Sequence, residues 1–374
     1  MPPPRRSLHR VRLLVAAVSI GVQLPALALL SRLTARLGGG WLPYAAAAAL
    51  TAPWLATTLR RPFADRPRPA WQRRFLLLPF FSWWATSTIY LAGGVLALVA
   101  ARIARVDATA AQVAALALAA LGGLRAVRRT PRLVEVEVPI PGLPPAYDGY
   151  RVGQISDVHC GAFTTRARIS RWVAQLNAAR PDLIAVTGDL VTSGDAFTDD
   201  VTAALSGLDA PDGVFACMGN HDYFCDPERL VAGLRDGGIV VLRNEGTRVE
   251  RAGAVLFVAG VEDNWSGRDD LDRTLAGRVA GETTLLLAHD PNHFHVAQDA
   301  GVALQLSGHT HGGQMALPFA GGRYNLARLI TRFTHGLYAE GDARLYVSRG
   351  AGTTGPPVRL FAPAELTVLT LRTA

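Results

Sequence analysis

Residues 75–101 form a continuous stretch without a charged side chain. A helix of this length is long enough to cross the ~30 Å of hydrocarbon in a bilayer, so the stretch must lie in lipid or in a large apolar core. It contains Trp83, Trp84 and Tyr90, residue types that concentrate near the membrane–water interface. Three further apolar runs lie at residues 13–30, 41–59 and 109–124. The pattern predicts an all-α membrane domain of about four transmembrane helices over residues 1–132, the fourth run being short and Ala-rich.

Charge separates the chain into two different parts. Residues 1–132 contain 18 Arg and two acidic residues, whereas residues 133–374 contain 20 Arg and 28 acidic residues, and the chain has no Lys. The acidic second part argues against a nucleic acid partner, because phosphate neutralisation needs clustered cations. Arg is concentrated at the N-terminus, between the second and third runs, and after the fourth. The positive-inside rule therefore predicts a multi-pass protein of the inner (plasma) membrane with its second part, residues 133–374, in the cytoplasm.

The N-terminus admits a second interpretation, a cleaved signal peptide over residues 1–28. Arg5 and Arg6 precede an apolar stretch, and Ala26-Leu27-Ala28 resembles a cleavage site. Further apolar runs follow at once, which favours retention of the first span. Loss of that span would leave three crossings that start outside the cell. The predicted cytoplasmic position of the second part is therefore the same under both interpretations.

Residues 133–374 are predicted to form an α/β domain, in which short apolar runs alternate with amphipathic stretches of helical length. The Pro-rich stretch 138–148 is typical of a linker or an entry loop. The predicted strands are residues 150–156, 182–187, 214–218, 239–242, 247–250, 254–261, 284–288, 303–307, 344–348 and 366–371, and the predicted helices are 165–179, 199–208 and 227–236. Cys160, Cys217 and Cys225 form no C-x-x-C pair, so we expect small buried thiols and no disulfide framework.

Five of the predicted strands are followed at once by side chains that bind metals or move protons. These are Asp157 and His159, then Asp189, then Asn220, His221 and Asp222, then His289, and finally His309 and His311. Open α/β sheets place their functional sites at the carboxyl ends of strands. Each short pattern is common alone, but five in order at strand ends are not expected from structural needs alone. We therefore predict that these side chains converge on one metal-binding site.

The order D-x-H, G-D, G-N-H-D, H and G-H-x-H resembles the calcineurin-like metallophosphoesterase superfamily over roughly residues 148–371. Gly336-Leu337-Tyr338 and residues 346–350 (YVSRG) are similar to its bacterial membrane-associated phosphodiesterase branch, some members of which cleave UDP-2,3-diacylglucosamine in lipid A synthesis. The resemblance implies a four-layer αββα sandwich with a dinuclear metal centre. It implies that one ion is bound by Asp157, His159, Asp189 and His311, and that Asp189 bridges to a second ion bound by Asn220, His289 and His309.

The chemistry of the candidate ligands agrees with this resemblance. Two divalent ions about 3.5–4 Å apart need a shared carboxylate, and Asp189 supplies one. Every candidate ligand offers nitrogen or oxygen, which favours Mn²⁺, with Fe or Zn²⁺ as alternatives. A hydroxide between the ions would attack phosphorus in line. His221 is not needed for coordination, so we predict that it protonates the leaving oxygen and that Asp222 fixes its tautomer.

The other polar candidates are weaker. His293 and His295 are expected at the surface or beside the site, and His335 is expected to be structural. Arg323 and Arg349 are candidates for binding the phosphate of the substrate. An exposed Arg is usually only solvated, so this role is the less favoured one.

The class of substrate is predicted from residues 317–338, where apolar and basic side chains are interleaved. Leu326, Leu329, Ile330 and Phe333 follow helical spacing, next to Phe319, Tyr324, Leu337 and the basic Arg323, Arg328 and Arg332. A short amphipathic element of this kind would rest on lipid, which favours a membrane lipid or a UDP-linked lipid as substrate. Packing of the stripe on the domain is the alternative. A small-nucleotide phosphodiesterase and a low-turnover metal-binding membrane scaffold stay open as other functions.

Overall fold

The computed structural model describes residues 5–60, 65–127, 130–318 and 320–374. Phe319, parts of two Arg-rich connections (61–64 and 128–129) and the extreme N-terminus (1–4) lie outside the described residues. The chain divides into two units, which are described separately. The first unit contains the helices up to residue 127, and the second contains the strands.

The first unit is helical throughout its regular elements. They are α1 Arg5–Gly21, α2 Leu24–Ala35, α3 Leu42–Arg60, α4 Ala70–Gln72, a π-helical turn at Arg73–Leu77, α5 Leu78–Ala104 and α6 Ala108–Val127. Within the described residues, three stretches are long and apolar enough to cross a membrane: Leu13–Ala35, Ala70–Ala104 and Ala108–Val127. They contain the first, third and fourth predicted runs. Ala26 and Leu29 of α2 pack against Tyr90 of α5 and Ala119 of α6 in a buried apolar cluster.

The remaining predicted span, residues 41–59, is helical but is not one of these three stretches, so four spans are not confirmed. This helix, α3, contains Pro53 in its interior and is built largely from Ala and Thr. Helix α6 is also rich in Ala, yet it is one of the three stretches, so Ala is not the reason. The Pro, Tyr and Thr residues of α3 lower its mean hydropathy and give it a weaker preference for lipid.

Two six-stranded mixed sheets form the framework of the second unit. Their strands are β1 Arg132–Ile140, β2 Arg151–Ile155, β3 Leu183–Thr187, β4 Val214–Cys217, β5 Val240–Val241, β6 Glu245–Arg251, β7 Ala254–Gly260, β8 Thr283–Leu287, β9 Leu304–Ser307, β10 Gly336–Glu340, β11 Ala343–Val347 and β12 Glu365–Thr373. The first sheet has the order β1-β12-β2-β3-β4-β5, and the second has the order β10-β11-β9-β8-β7-β6. In the first sheet β2 to β5 are parallel to one another, as are β7, β8, β9 and β11 in the second. Equivalent strand ends therefore lie side by side within each sheet.

The alternation of side chains along each strand explains why each sheet packs against the other sheet on one face and against helices on the opposite face. Successive side chains of a strand point to opposite faces of its sheet. In β3, Leu183 and Ala185 lie in the core between the two sheets, whereas Ile184 and Val186 pack against helices on the outer face. The helices of this unit are α7 Arg166–Ala178, α8 Thr198–Leu205, α9 Pro227–Asp236, α10 Leu271–Leu275 and α11 Phe294–Asp299. Helices α7 to α9 cover the first sheet, and α10 and α11 pack on the second, which gives an α/β sandwich of four layers.

The main departure from the prediction lies at the start of this unit. Residues 132–140 form β1, in parallel register with β12, where the sequence suggested a linker over 138–148. Only Val138 and Ile140 of this edge strand are buried, so its apolar signal is short. Pro139 is tolerated because the strand lies at the edge of the sheet. The other strand missing from the prediction, β10, is also an edge strand.

Candidate metal centre

The seven predicted ligands follow five strands of the two sheets. They are Asp157 and His159 after β2, Asp189 after β3, Asn220 after β4, His289 after β8, and His309 and His311 after β9. The structure brings donor atoms together in a first group, formed by Asp157, His159, Asp189 and His311, and a second group, formed by Asp189, His289 and His309. Within each group the donor atoms lie within 4.8 Å of one another. Asp189 belongs to both groups, so its carboxylate is the shared element of the site.

In the first group the donor atoms of buried side chains face one another. Nε2 of His159 lies 3.0 Å from Nε2 of His311 and 3.4 Å from Oδ2 of Asp189. Nε2 of His311 lies 3.4 Å from Oδ1 of Asp157. Nitrogen and oxygen donors without sulfur suit divalent ions such as Mn²⁺, Fe²⁺ or Zn²⁺. The first group therefore fits a divalent cation.

The second group is oriented by a backbone carbonyl. Nδ1 of His289 donates to the carbonyl oxygen of Thr187 at 2.7 Å, and this type of contact commonly fixes the tautomer of a metal-binding histidine. Nε2 of the same ring is buried, makes no hydrogen bond within the described residues, and lies 3.2 Å from Oδ2 of Asp189. Nδ1 of His309 lies 3.0 Å from Oδ1 of Asn220. A divalent ion fits this group too, with Asn220 as an additional oxygen donor.

Burial favours the neutral form of three ligand histidines. It lowers the pKa of His159 to about 3 and that of His309 to about 4, and it lowers the pKa of His311 well below its ordinary value. Burial opposes ionisation of the carboxyl groups and raises the pKa of Asp157 to about 6, but the positive charge on His289 holds the pKa of Asp189 well below its usual range. Asp189 in turn raises the pKa of His289, against the effect of burial. Because neutral imidazoles and ionised carboxylates bind divalent cations, His289 would release its proton when an ion binds.

The ligand loops have an unusual backbone conformation. Asp157, His159, Asp189, His309 and His311 have φ angles of 51°, 46°, 55°, 69° and 52°. L-residues other than glycine rarely enter this left-handed region, and such residues cluster at functional sites when the surroundings hold them there. No pattern in the sequence indicates this feature. The positive φ angles show that the backbone at the strand ends is held in the conformation that the site requires.

The glycine before His309 is required by a close approach of two loops. A Cβ at Gly308 would lie 2.0 Å from Oγ of Ser156 and 2.2 Å from Oδ2 of Asp157. The backbone N–H of His309 donates to the same carboxylate at 3.0 Å. The loop after β9 therefore packs directly on the loop after β2, and glycine provides the space that the sequence pattern suggested.

His221 lies beside the first group. Its ring centroid is 4.7 Å from that of His159, and its backbone N–H donates to Oδ1 of Asp189 at 2.8 Å. Its Nδ1 lies 2.7 Å from the carbonyl oxygen of Thr192. A carbonyl can only accept, so Nδ1 carries a proton and Nε2 is the nitrogen that can exchange one with a substrate.

The structure corrects the prediction that Asp222 fixes the tautomer of His221. The carboxylate of Asp222 is fully buried and accepts hydrogen bonds from the backbone N–H groups of Gly219, Asp189 and Leu190 at 2.8–3.0 Å. Adjacent side chains of this turn point in different directions, and the Thr192 carbonyl takes the predicted role. Burial and the nearby charge of Asp189 raise the pKa of Asp222 to about 7, while the backbone donors act in the opposite direction. Asp222 joins the loops that carry Asp189 and Asn220.

The weaker histidine candidates lie outside both ligand groups. His293 is buried, and its Nδ1 lies 3.8 Å from Oδ2 of Asp269. His295 is exposed, and its ring contacts that of Phe333. Nδ1 of His335 lies 3.3 Å from the hydroxyl of the neighbouring Thr334, and its ring is partly buried. None of these three belongs to either group of donor atoms.

The two Arg candidates differ in position. Arg349 lies against Gly312 of the G-H-x-H loop, and its guanidinium donates to the buried Glu365 at 2.6 Å. Arg323 is exposed in the segment after that loop. Their binding of substrate phosphate stays a prediction, and the ion pair of Arg349 is a competing use of its charge.

Two exposed aromatic residues beside the site were not found from the sequence. Phe224 is 53% exposed, with its ring centroid 5.1 Å from that of His221. Trp265 is 58% exposed, with its ring centroid 5.3 Å from that of His309. The indole N–H of Trp265 donates to Oδ2 of Asp290 at 2.7 Å, which holds the ring in place. Neither residue follows a strand directly, so the strand-end pattern did not indicate them.

Comparison with known proteins identifies the family. Residues 150–313 match the calcineurin-like phosphoesterase family. The chain is 34% identical over 239 residues to YkuE, an uncharacterized metallophosphoesterase of Bacillus subtilis, covering 62% of this chain and 82% of that protein. It is 32% identical over 230 residues to a metallophosphoesterase of Aquifex aeolicus, covering 59% of this chain and 85% of the relative.

A vertebrate relative is also similar. A transmembrane protein with metallophosphoesterase domain from Danio rerio is 32% identical over 269 residues, covering 68% of this chain and 60% of that protein. The chain belongs to the calcineurin-like metallophosphoesterases and is a metal-dependent phosphoric ester hydrolase. The narrower resemblance to enzymes that cleave UDP-2,3-diacylglucosamine is not confirmed.

Replacement of Asp189 by Asn is expected to abolish hydrolysis and to weaken binding of both ions, because a neutral amide is a poor bridge between two dications. Metal content of the purified variant, measured by mass spectrometry after gel filtration, checks the expectation. Asp199, an exposed carboxylate paired with Arg229, is a matched control, and Asp199→Asn should leave metal content unchanged. Tight retention of two ions per chain by Asp189→Asn would contradict the bridging role.

Proposed function

We propose that the protein is a membrane-anchored phosphoesterase with two divalent ions that cleaves a phosphodiester or pyrophosphate bond of a lipid-linked substrate. The observation that carries the proposal is the pair of ligand groups that share the buried carboxylate of Asp189. Mn²⁺ is the favoured ion, with Fe or Zn²⁺ as alternatives, because the donor set contains nitrogen and oxygen only.

The residues of the site have separable roles in this proposal. When bound, a pair of divalent ions generates a nucleophile from water at neutral pH and neutralises charge on the phosphoryl oxygens. The first group holds one ion, and the second group together with Asn220 holds the other. The Thr192 carbonyl fixes Nδ1 of His221 as the protonated nitrogen, so Nε2 of the charged ring can donate a proton to the leaving oxygen.

His221→Ala is expected to keep the metal ions and to lower kcat by roughly 10²–10⁴, the usual size of a general-acid contribution. The loss should be smaller for p-nitrophenyl esters than for alkyl esters, because an acidic leaving group needs little protonation. Turnover of both ester types by the purified variant, with its metal content, is the measurement.

The exposed His295 provides a matched control, and His295→Ala should leave turnover unchanged. An equal loss for both ester types in His221→Ala would show that this histidine positions the substrate and does not protonate it.

Support for a lipid substrate comes from the segment after the metal-binding loop. Leu326, Leu329 and Ile330 are 57%, 85% and 62% exposed, next to the exposed Arg323 and Arg328. Large apolar side chains at such exposure, with Arg among them, are typical of a surface that contacts lipid with anionic headgroups.

This segment packs next to the site. A Cβ at Gly313, two residues after the ligand His311, would lie 2.5 Å from Cβ of Asn325. Asn325 in turn caps the 3₁₀ turn Leu326–Leu329 by accepting a hydrogen bond from the N–H of Ala327 at 3.0 Å. Phe333, predicted on the same stripe, is buried against Phe294, so the alternative of packing on the domain holds for that residue. The three exposed side chains remain available to a lipid.

We expect Leu329→Ser with Ile330→Ser to lower kcat/KM for an acylated substrate in mixed micelles by roughly tenfold or more, because burial of one such side chain contributes about 1.5–3 kcal/mol. The deacylated headgroup should be cleaved as well as by the unaltered protein. UDP-2,3-diacylglucosamine and its deacylated form serve as one substrate pair, and a phosphodiester lipid with its headgroup serves as a second.

Val296→Ser, at a 51% exposed position on α11, is the control for loss of an exposed apolar side chain. If the unaltered protein cleaves the soluble headgroup as efficiently as the lipid, the lipid-linked substrate is wrong.

A small-nucleotide phosphodiesterase is the second candidate function, and the exposed rings of Phe224 and Trp265 favour it, because aromatic side chains stack on nucleobases. The lipid assays above separate this candidate from the first. Hydrolysis of bis-p-nitrophenyl phosphate with added Mn²⁺ separates both enzymes from a low-turnover metal-binding scaffold, which would show none.

The membrane anchor is supported by the three apolar helical stretches and by the name of the Danio rerio relative. We propose α3 as a fourth crossing, so that the Arg-rich N-terminus lies on the same side of an inner membrane as Arg125 and Arg132, which the positive-inside rule makes the cytoplasmic side. We expect a cysteine introduced at the exposed Val296 of α11, outside the proposed lipid-contacting surface, to be shielded from an impermeant thiol reagent in intact cells and labelled after lysis. Labelling in intact cells would place the second unit outside.

A further inference from the structure

Arg359 is a buried cation that the strand-end pattern did not indicate. The residue is 3% exposed and lies in the loop between β11 and β12, and it belongs to neither ligand group. Burial lowers the pKa of its guanidinium to about 10, against the opposing effect of the Asp157 and Glu365 charges, so the group is charged at neutral pH. A charge in the interior is costly unless it is satisfied by hydrogen bonds. The partners of this guanidinium therefore indicate what it does.

One side of the guanidinium holds a ligand of the first group. Nη1 of Arg359 donates to the carbonyl oxygen of His311 at 3.2 Å. Nε2 of the His311 ring faces the other ligands of the group, so Nδ1 carries the ring proton when Nε2 binds an ion. Nη2 of Arg359 lies 3.2 Å from this Nδ1, but both are then donors and they form no hydrogen bond. The hydrogen bond to the carbonyl therefore restricts the backbone position of His311.

The other side of the guanidinium holds the loop that lies on Asp157. Nη2 donates to the carbonyl oxygen of Gly350 at 3.0 Å and to that of Gly352 at 2.6 Å, and Nε also donates to Gly352 at 3.1 Å. The backbone N–H of Gly352 donates in turn to the carbonyl oxygen of Asp157 at 2.8 Å. Gly350 packs so closely on Asp157 that a Cβ there would lie 2.6 Å from Cβ of the aspartate.

Arg359 thus joins two ligands that come from different sheets. Asp157 follows β2 of the first sheet, and His311 follows β9 of the second. The planar fork of a guanidinium fixes several acceptors at once, which a flexible ammonium does not do. The side chain of Arg359 therefore sets the position of Asp157 relative to that of His311.

We propose that Arg359 is a positioning residue that sets the geometry of Asp157 and His311, and thereby the affinity of the first group for its ion. The inference rests on the proposed dinuclear site. Arg359 should affect only one of the two ions. Its hydrogen bonds lead to ligands of the first group, whereas the second group is oriented by the carbonyl of Thr187 and by Asn220.

The test uses full-length protein in detergent with Mn²⁺ as the probe. Arg359→Gln is expected to lower the affinity for one of two ions by roughly 10–100-fold, the usual effect of removing a group that orients a metal ligand. The second ion should keep its affinity, and the electron paramagnetic resonance spectrum should change from that of a coupled pair to that of an isolated Mn²⁺. Arg359→Lys is expected to lose less, because it retains the charge and part of the hydrogen bonding.

Two comparisons make the result specific. Arg248→Gln removes a guanidinium from an ion pair with Glu282 at the amino end of β8, the end opposite to His289, and should leave both affinities unchanged. In a His311→Ala background, Arg359→Gln should cause a smaller further loss of affinity, because only the hydrogen bonds that lead to Asp157 can still affect a ligand.

Unchanged binding of two ions by Arg359→Gln would overturn the proposal, and so would an equal loss of both ions. If Arg359→Gln does not fold, Arg359→Lys is judged by the same criteria. If the unaltered protein binds two ions but cleaves no phosphoester, the proposed function fails, while the binding measurements still decide the role of Arg359.

Discussion

The carboxylate of Asp189 is the contact on which the arrangement of the site depends. It belongs to both ligand groups, and it also accepts the backbone N–H of His221, so the loops after β2, β4, β8 and β9 all meet at this side chain. Because it is buried, its charge has to be balanced by the groups around it. The positive charge on His289, which follows a strand of the second sheet, supplies that balance. Contacts at this carboxylate therefore join the ends of the two sheets, in addition to the apolar core between them.

Much of the fold and the ligand set could be predicted from the sequence, because the five strands that deliver ligands are short apolar runs buried on both faces. Such strands give a continuous apolar signal. The polar residues that follow them therefore stand out, as Asp157 does after β2 and His289 does after β8. The edge strands β1 and β10 were missed because their apolar residues alternate with exposed ones. The predicted span at residues 41–59 is helical, but its Pro, Tyr and Thr residues lower its mean hydropathy, and it is not one of the three apolar stretches.

The role of Asp222 was predicted wrongly and three residues near the site were not predicted, because the sequence does not show which side chains contact one another. Asp222 follows His221 directly, yet neighbouring side chains in a turn diverge, and Asp222 serves backbone N–H groups instead. Arg359 contacts His311 from 48 positions along the chain, a separation without a periodic signal. Phe224 and Trp265 are ordinary aromatic residues in sequence. Only the structure shows that they lie beside His221 and His309.

The left-handed backbone of the ligand residues has a consequence for which side chains can stand there. Backbone hydrogen bonds hold two of these turns: the N–H of Asp157 donates to the carbonyl of Gly188, and that of His159 donates to the carbonyl of Asp189. Asp, Asn and His enter the left-handed region more readily than other residues with a side chain, whereas β-branched residues are strained there. The residue types that bind a divalent ion are therefore also the types that the backbone accepts at these positions.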